Sequence, residues 1–98
     1  MGNAFYMPPE YFRGENASLA GDIWAVGCIL YETITGTVLF RAPLENSIEE
    51  ISDRVLHQAP PKLPSCYSKS FRQLVWCMLR QKPRERPSAN QTLKSDLF

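Results

Sequence analysis

Between Asp22 and Gly36 the chain reads DIWAVGCILYETITG, with an apolar run from Ile23 to Leu30 interrupted only by Gly27. A helix that is apolar all round belongs either in a membrane or inside a larger folded body. This run falls well short of the roughly 18 to 20 apolar residues of a membrane span. The remaining option is a buried helix with neighbours on every side. With 98 residues in all, a compact domain removes only about 60 to 65% of its unfolded surface from water, too little to sheathe such a helix completely. The sequence therefore implies covering segments beyond the chain.

Asp22 opens this helix, and a carboxylate at a buried helix start costs several kcal/mol unless it accepts hydrogen bonds. Either it helps to cap its own first turn or it receives backbone N–H groups from outside the chain.

The rest of the chain supplies further helices and no strand alternation. MPPEYF is a short turn or a single helical turn, because consecutive prolines fix φ and remove donors. RGENASLAG is a polar loop. The central helix is expected over Leu19 to Thr35, with Gly36 at the C′ position. Ser47 and Glu50 have capping-box spacing, followed by Ile48, Ile51 and Val55 on one face. APPKLPSCYS is an extended loop. Ser68 caps a helix striped by Phe71, Leu74, Val75, Met78 and Leu79. KPRERP ends it, and Ser88 with Gln91 opens a last short helix toward Leu97. The fold class is all-α, with about four helices in one domain, residues 1–98.

Charge excludes some functions. Eleven basic and ten acidic residues give a formal net charge of +1, which offers no basis for a nucleic-acid or membrane partner. MGNAFYMPPE lacks the basic start and long apolar run of a signal peptide. Cys28, Cys66 and Cys77 are odd in number and lack CxxC spacing, so neither a metal site nor a disulfide framework is expected. A reducing, intracellular and cytoplasmic setting fits, with the three as small apolar filler.

Three motifs, in order and far apart, carry a family likeness: GNAFYMPPE, DIWAVGCILYE and RERPSA. Together they resemble the C-terminal lobe of eukaryotic protein kinases, from the end of the activation segment to the last helix. The match spans nearly the whole chain but about the last third of a kinase domain, and it excludes the β-rich N-terminal lobe. GNAFYMPPE and GCILYE resemble the Ser/Thr rather than the Tyr branch, and LPSCYSKSFRQLVWCMLRQKPRERPSA is most like the NIMA-related group.

The resemblance assigns roles residue by residue. MPPE matches the family's Ala-Pro-Glu motif, with Pro8 where alanine is usual. It implies a buried ion pair between Glu10 and Arg86, whose loss on one side costs about 3 to 5 kcal/mol. Gly2, Asn3 and Tyr6 correspond to the loop beside the phosphoacceptor pocket. Asn3 departs from the threonine usual there, which changes hydrogen-bond geometry. Asp22 matches the acid that holds the catalytic loop, and Trp24 and Gly27 match packing positions. Ile29 and Thr33 match supports of the side-chain column beneath adenine, where a larger apolar residue is usual at Thr33. Residues 43–58 correspond to a helix that often serves for docking. Its acidic residues Glu45, Glu49, Glu50 and Asp53 are read as a solvated face, and His57 as structural or exposed.

Phosphoryl transfer needs phosphate cradling, Mg²⁺ and a base that orients the hydroxyl. The Gly-rich loop, strand lysine, HRDxxxxN and DFG segments that supply them are not in these residues. No catalytic, cofactor-binding or metal-ligating residue is therefore assigned. ATP and Mg²⁺ are implied only for a complete parent kinase, whose missing segments and protein substrates are the expected partners. The favoured reading is the back of a larger Ser/Thr kinase, with HRDxxxxN and DFG expected upstream of Met1. The alternative is a non-catalytic binding fragment or a module derived from a pseudokinase.

Overall fold

A computed structural model of the chain describes residues 2–40 and 47–93. A 3-10 helix, Gly2–Tyr6, leads into α1, Pro9–Phe12. Then come α2, Leu19–Thr35; α3, Ile48–His57; α4, Lys69–Met78; a 3-10 turn at Pro83–Glu85; and α5, Ala89–Leu93. No strand occurs among the described residues, and the all-α reading stands.

Local chemistry sets the helix ends. The Oγ atoms of Ser18, Ser47, Ser68 and Ser88 accept from the backbone N–H groups of Gly21, Glu50, Phe71 and Gln91, at 3.1 to 3.2 Å. The Ser88 N–H donates back to Gln91 Oε1 at 2.7 Å, completing a capping box. Gly36 closes α2 in the left-handed region, φ 73°, and its N–H reaches the Glu32 carbonyl at 2.7 Å. The expected extension of the last helix toward Leu97 lies outside the described residues.

The helices assemble around the inner face of α2. Gly27 permits the close approach of α4: a Cβ there would sit 2.9 Å from Met78 Cβ and 3.1 Å from Leu79 Cδ2. Trp24 is fully buried and stacks on Phe40, with ring centroids 5.8 Å apart and planes 10° from parallel. Ile51 and Val55 of α3, Val75 of α4 and Leu79 just after it join the same core. Gln81 Nε2 ties the chain beyond α4 to the Val55 carbonyl at 2.8 Å.

Two expectations about the core need correction. Ile48 is exposed, unlike Ile51 and Val55. It sits at the first position of α3, before the helix has turned its apolar face onto the core. The cysteines also differ among themselves: Cys28 is buried, Cys77 half-buried and Cys66 exposed in the proline-rich loop, so only Cys28 fills the core.

The outer face of α2 is not covered by the described residues. Leu19 is 84% exposed, Val26 43% and Ile29 51%, and Asp22 and Thr33 lie exposed on the same stripe. The alternation of three- and four-residue steps through 19, 22, 26, 29 and 33 keeps these five side chains on one face. An exposed stripe carrying three large apolar side chains normally marks an interaction surface.

Candidate functional site

The site has two halves, one on each side of α2. On the buried side, Arg86 is held by every donor it owns. Its Nη1 and Nη2 meet Glu10 Oε2 and Oε1 at 2.7 and 2.8 Å, a two-pronged pair with both side chains buried. The remaining bonds go to the carbonyls of Arg80, Ala20 and Gln81, at 2.8, 3.0 and 3.3 Å. These five bonds use the full guanidinium capacity. One side chain thus joins α1, the first turn of α2 and the segment after α4. The guanidinium carbon also lies 5.0 Å from the Trp24 ring centroid, within cation–π reach.

The electrostatics follow from this enclosure. Burial alone would raise the Glu10 carboxyl. The Arg86 hydrogen bonds, its own backbone N–H and the positive charges of Arg86 and Arg13 outweigh burial and hold it below the usual value. Cys28 lies within the same core, and burial pushes its thiol up to about 12, so it packs as a neutral group. The Trp24 Nε1–H finds no acceptor among the described residues.

Tyr6 is anchored from above: its phenol donates to Glu32 Oε1 on α2. That bond, then burial, then the Glu32 charge raise its pKa. The backbone of Gly2 and Asn3 belongs to the same 3-10 helix; their side chains lie outside the described residues. Tyr11 provides a second tie, its hydroxyl accepting the Ser18 N–H at 2.9 Å where the chain enters α2.

On the open side, Asp22 is exposed, and its carboxylate has no partner among the described residues. Ser18, a residue that the sequence reading left unremarked, takes the capping role that Asp22 was one candidate for. Ile29 and Thr33 follow on the same stripe, and the Thr33 hydroxyl donates to the Ile29 carbonyl at 2.8 Å. Trp24 and Gly27 face inward, toward the core and α4. The structure thus separates the five sequence-selected residues of α2 into three that point out and two that point in.

Sequence reasoning also passed over the Tyr6–Glu32 bond and the Phe40–Trp24 stack, whose partners are far apart in the chain. On α3, Glu49 and Asp53 are exposed, Glu50 is half-buried and Glu45 lies outside the described residues. His57 is exposed, with Nδ1 3.2 Å from Asp53 Oδ1.

The arrangement holds backbone: Arg86 alone binds three main-chain carbonyls. Among the described residues no group of three His, Cys, Asp or Glu side chains is placed to hold a metal ion. The residues present do not fit ATP–Mg²⁺, and no chemical step is assigned to them. No helix of the described residues is long and apolar enough to cross a membrane.

The family model described as "Protein kinase domain" matches residues 1–98. Similar curated proteins include the serine/threonine-protein kinase Nek4 of Mus musculus, 34% identical over 96% of this chain and 12% of that protein. They also include the serine/threonine-protein kinase Nek3 of Oryza sativa subsp. japonica, 41% identical over 96% of this chain and 16% of that protein. The serine/threonine-protein kinase ATG1 of Debaryomyces hansenii is 33% identical over 99% of this chain and 11% of that protein. The chain thus spans less than a fifth of the length of each of these relatives.

Proposed function

The chain belongs to the protein kinase domain family, and we propose that it forms the part of a Ser/Thr kinase that supports the catalytic loop and walls the substrate pocket. The observation that carries this reading is the exposed stripe of Leu19, Asp22, Val26, Ile29 and Thr33 on a helix whose other residues are buried or half-buried. Apolar side chains flanking an unpartnered carboxylate suit a covering segment that brings apolar side chains and free backbone N–H groups together. The catalytic loop of the complete domain is such a segment.

In this reading Asp22 accepts its N–H groups and fixes the loop from below. Ile29 and Thr33 support the side-chain column under adenine. Gly2, Asn3 and Tyr6 shape the pocket beside the phosphoacceptor, and Tyr6 is steadied by Glu32. The Glu10–Arg86 clamp sets the height of α1 against α2, and Trp24 and Gly27 seat α2 on the core. The complete kinase would use ATP and Mg²⁺, act on protein Ser or Thr, and work in the cytoplasm.

The test is Asp22→Asn in the full-length protein, with Asp53→Asn as the exposed control. Loss of a positioning group costs up to about 100-fold in turnover. The expected result is a fall of that order in kcat for peptide phosphorylation with an unchanged melting temperature, and no change for the control. Equal turnover of the two variants would overturn the assignment.

A further inference from the structure

A second surface lies on the opposite side of α2. Tyr31 follows Asp22 by nine positions, about two and a half helical turns, which places it across the helix from the exposed stripe. Tyr31 is itself buried, and the cleft above it is not filled by the described residues. This cleft, of about 280 Å³, runs between the 60–63 loop and α4, with Tyr31, Val75, Leu79 and Trp76 along its apolar floor and wall. Trp76 is 43% exposed, although it is a large aromatic residue on an amphipathic helix.

The rim is cationic. Lys62 stands on the loop side, and Lys69 and Arg72 stand on the helix side. Among the described residues no Asp or Glu lines this cleft, whereas three other clefts each contain carboxylates. Lys62 and Lys69 have no side-chain partner among the described residues. Arg72 is fixed through Nε, which donates to the Tyr67 carbonyl at 3.0 Å, and its two terminal nitrogens have no partner there. A guanidinium oriented at its root with both prongs open is prepared for a carboxylate.

We propose that this cleft is a docking site for an acidic peptide segment of a partner protein, with one bulky apolar side chain in the cleft and flanking carboxylates on Arg72, Lys69 and Lys62. The volume lies at or below the lower end of small-ligand sites, about 300 to 1,000 Å³, and suits a single large side chain. Cations on both walls call for more than one carboxylate, which a peptide supplies on either side of its anchor. Trp, Tyr and Arg are also the residues that dominate binding at protein interfaces.

The experiment uses the full-length protein and a fluorescein-labelled peptide, Glu-Glu-Ser-Phe-Ser-Glu-Glu, read by anisotropy. One comparison peptide has serine for every glutamate, and another has alanine for phenylalanine. The acidic phenylalanine peptide is expected to bind saturably, more weakly as salt rises, and at least about tenfold more tightly than either comparison peptide. Arg72→Met with Lys69→Met should weaken it about tenfold, and Arg84→Met should leave it unchanged. Lys62→Met with Lys69→Met repeats the test on two exposed, unpaired side chains whose removal does not endanger the fold. Absence of saturation, equal binding of the serine peptide, or unchanged affinity in both double variants would overturn the proposal.

Discussion

Removal of the Arg86 side chain is the sharpest test of how this fold is held. Arg86→Ala takes away both bonds to Glu10 and three to backbone carbonyls, and leaves a carboxylate buried without its cation. Breaking a buried pair from one side costs about 3 to 5 kcal/mol, a roughly 100- to 4,000-fold change in the folding equilibrium. Arg84 is exposed two residues earlier, and a surface truncation there should stay within about 0.5 kcal/mol. Urea titration of the full-length protein and the two variants at pH 7 measures the difference.

The pH dependence gives an independent check. In the parent protein Glu10 is held below its usual value, so its contribution is present above about pH 4.3 and is lost as pH falls through the folded value. In Arg86→Ala the attraction of Arg86 is gone and burial acts against the charged form. The carboxyl is then expected to take up a proton more readily in the variant. The penalty should therefore shrink between pH 7 and pH 4. Equal costs for Arg84→Ala and Arg86→Ala, or a penalty constant over that range, would refute the reasoning.

Other predictions address separate contacts. Gly27→Ala should cost about 1 to 3 kcal/mol by pushing α4 away from α2, visible as a lower thermal midpoint; an unchanged midpoint would mean that α4 yields freely. The raised Tyr6 pKa gives stability that is complete below about pH 10 and lost as pH rises through the folded value. Tyr6→Phe should remove that alkaline dependence in denaturant titrations between pH 8 and 11. Residues 1–98 produced alone should lack a cooperative thermal transition with sharp near-UV aromatic signals, because the stripe from Leu19 to Thr33 is uncovered.

What could be read from the sequence was mostly local. Ser47, Ser68, Ser88 with Gln91, and Gly36 act within a few residues of themselves, so spacing alone identified the helix ends they make. The surplus of apolar surface on α2 was legible too, since the run from Ile23 to Leu30 cannot be covered by so short a chain. Which face stayed bare was not legible, because it depends on where α4 and Phe40 settle. Ile48 and Cys66 misled for the same reason: their burial is decided by the distance of their segment from the core. The meeting of Glu10 with Arg86 could be expected only through the family likeness, and the use of three further carbonyls by Arg86 had no sequence signal.

The clamp also has a consequence for the order in which the molecule is made. Its partners are 76 residues apart, so at roughly 5 to 20 residues per second the ribosome adds Arg86 about 4 to 15 seconds after Glu10. Throughout that interval, burying Glu10 would strand a charge. The nascent segment around α1 should therefore stay undocked until Arg86 arrives, so that a residue made later locks one made earlier.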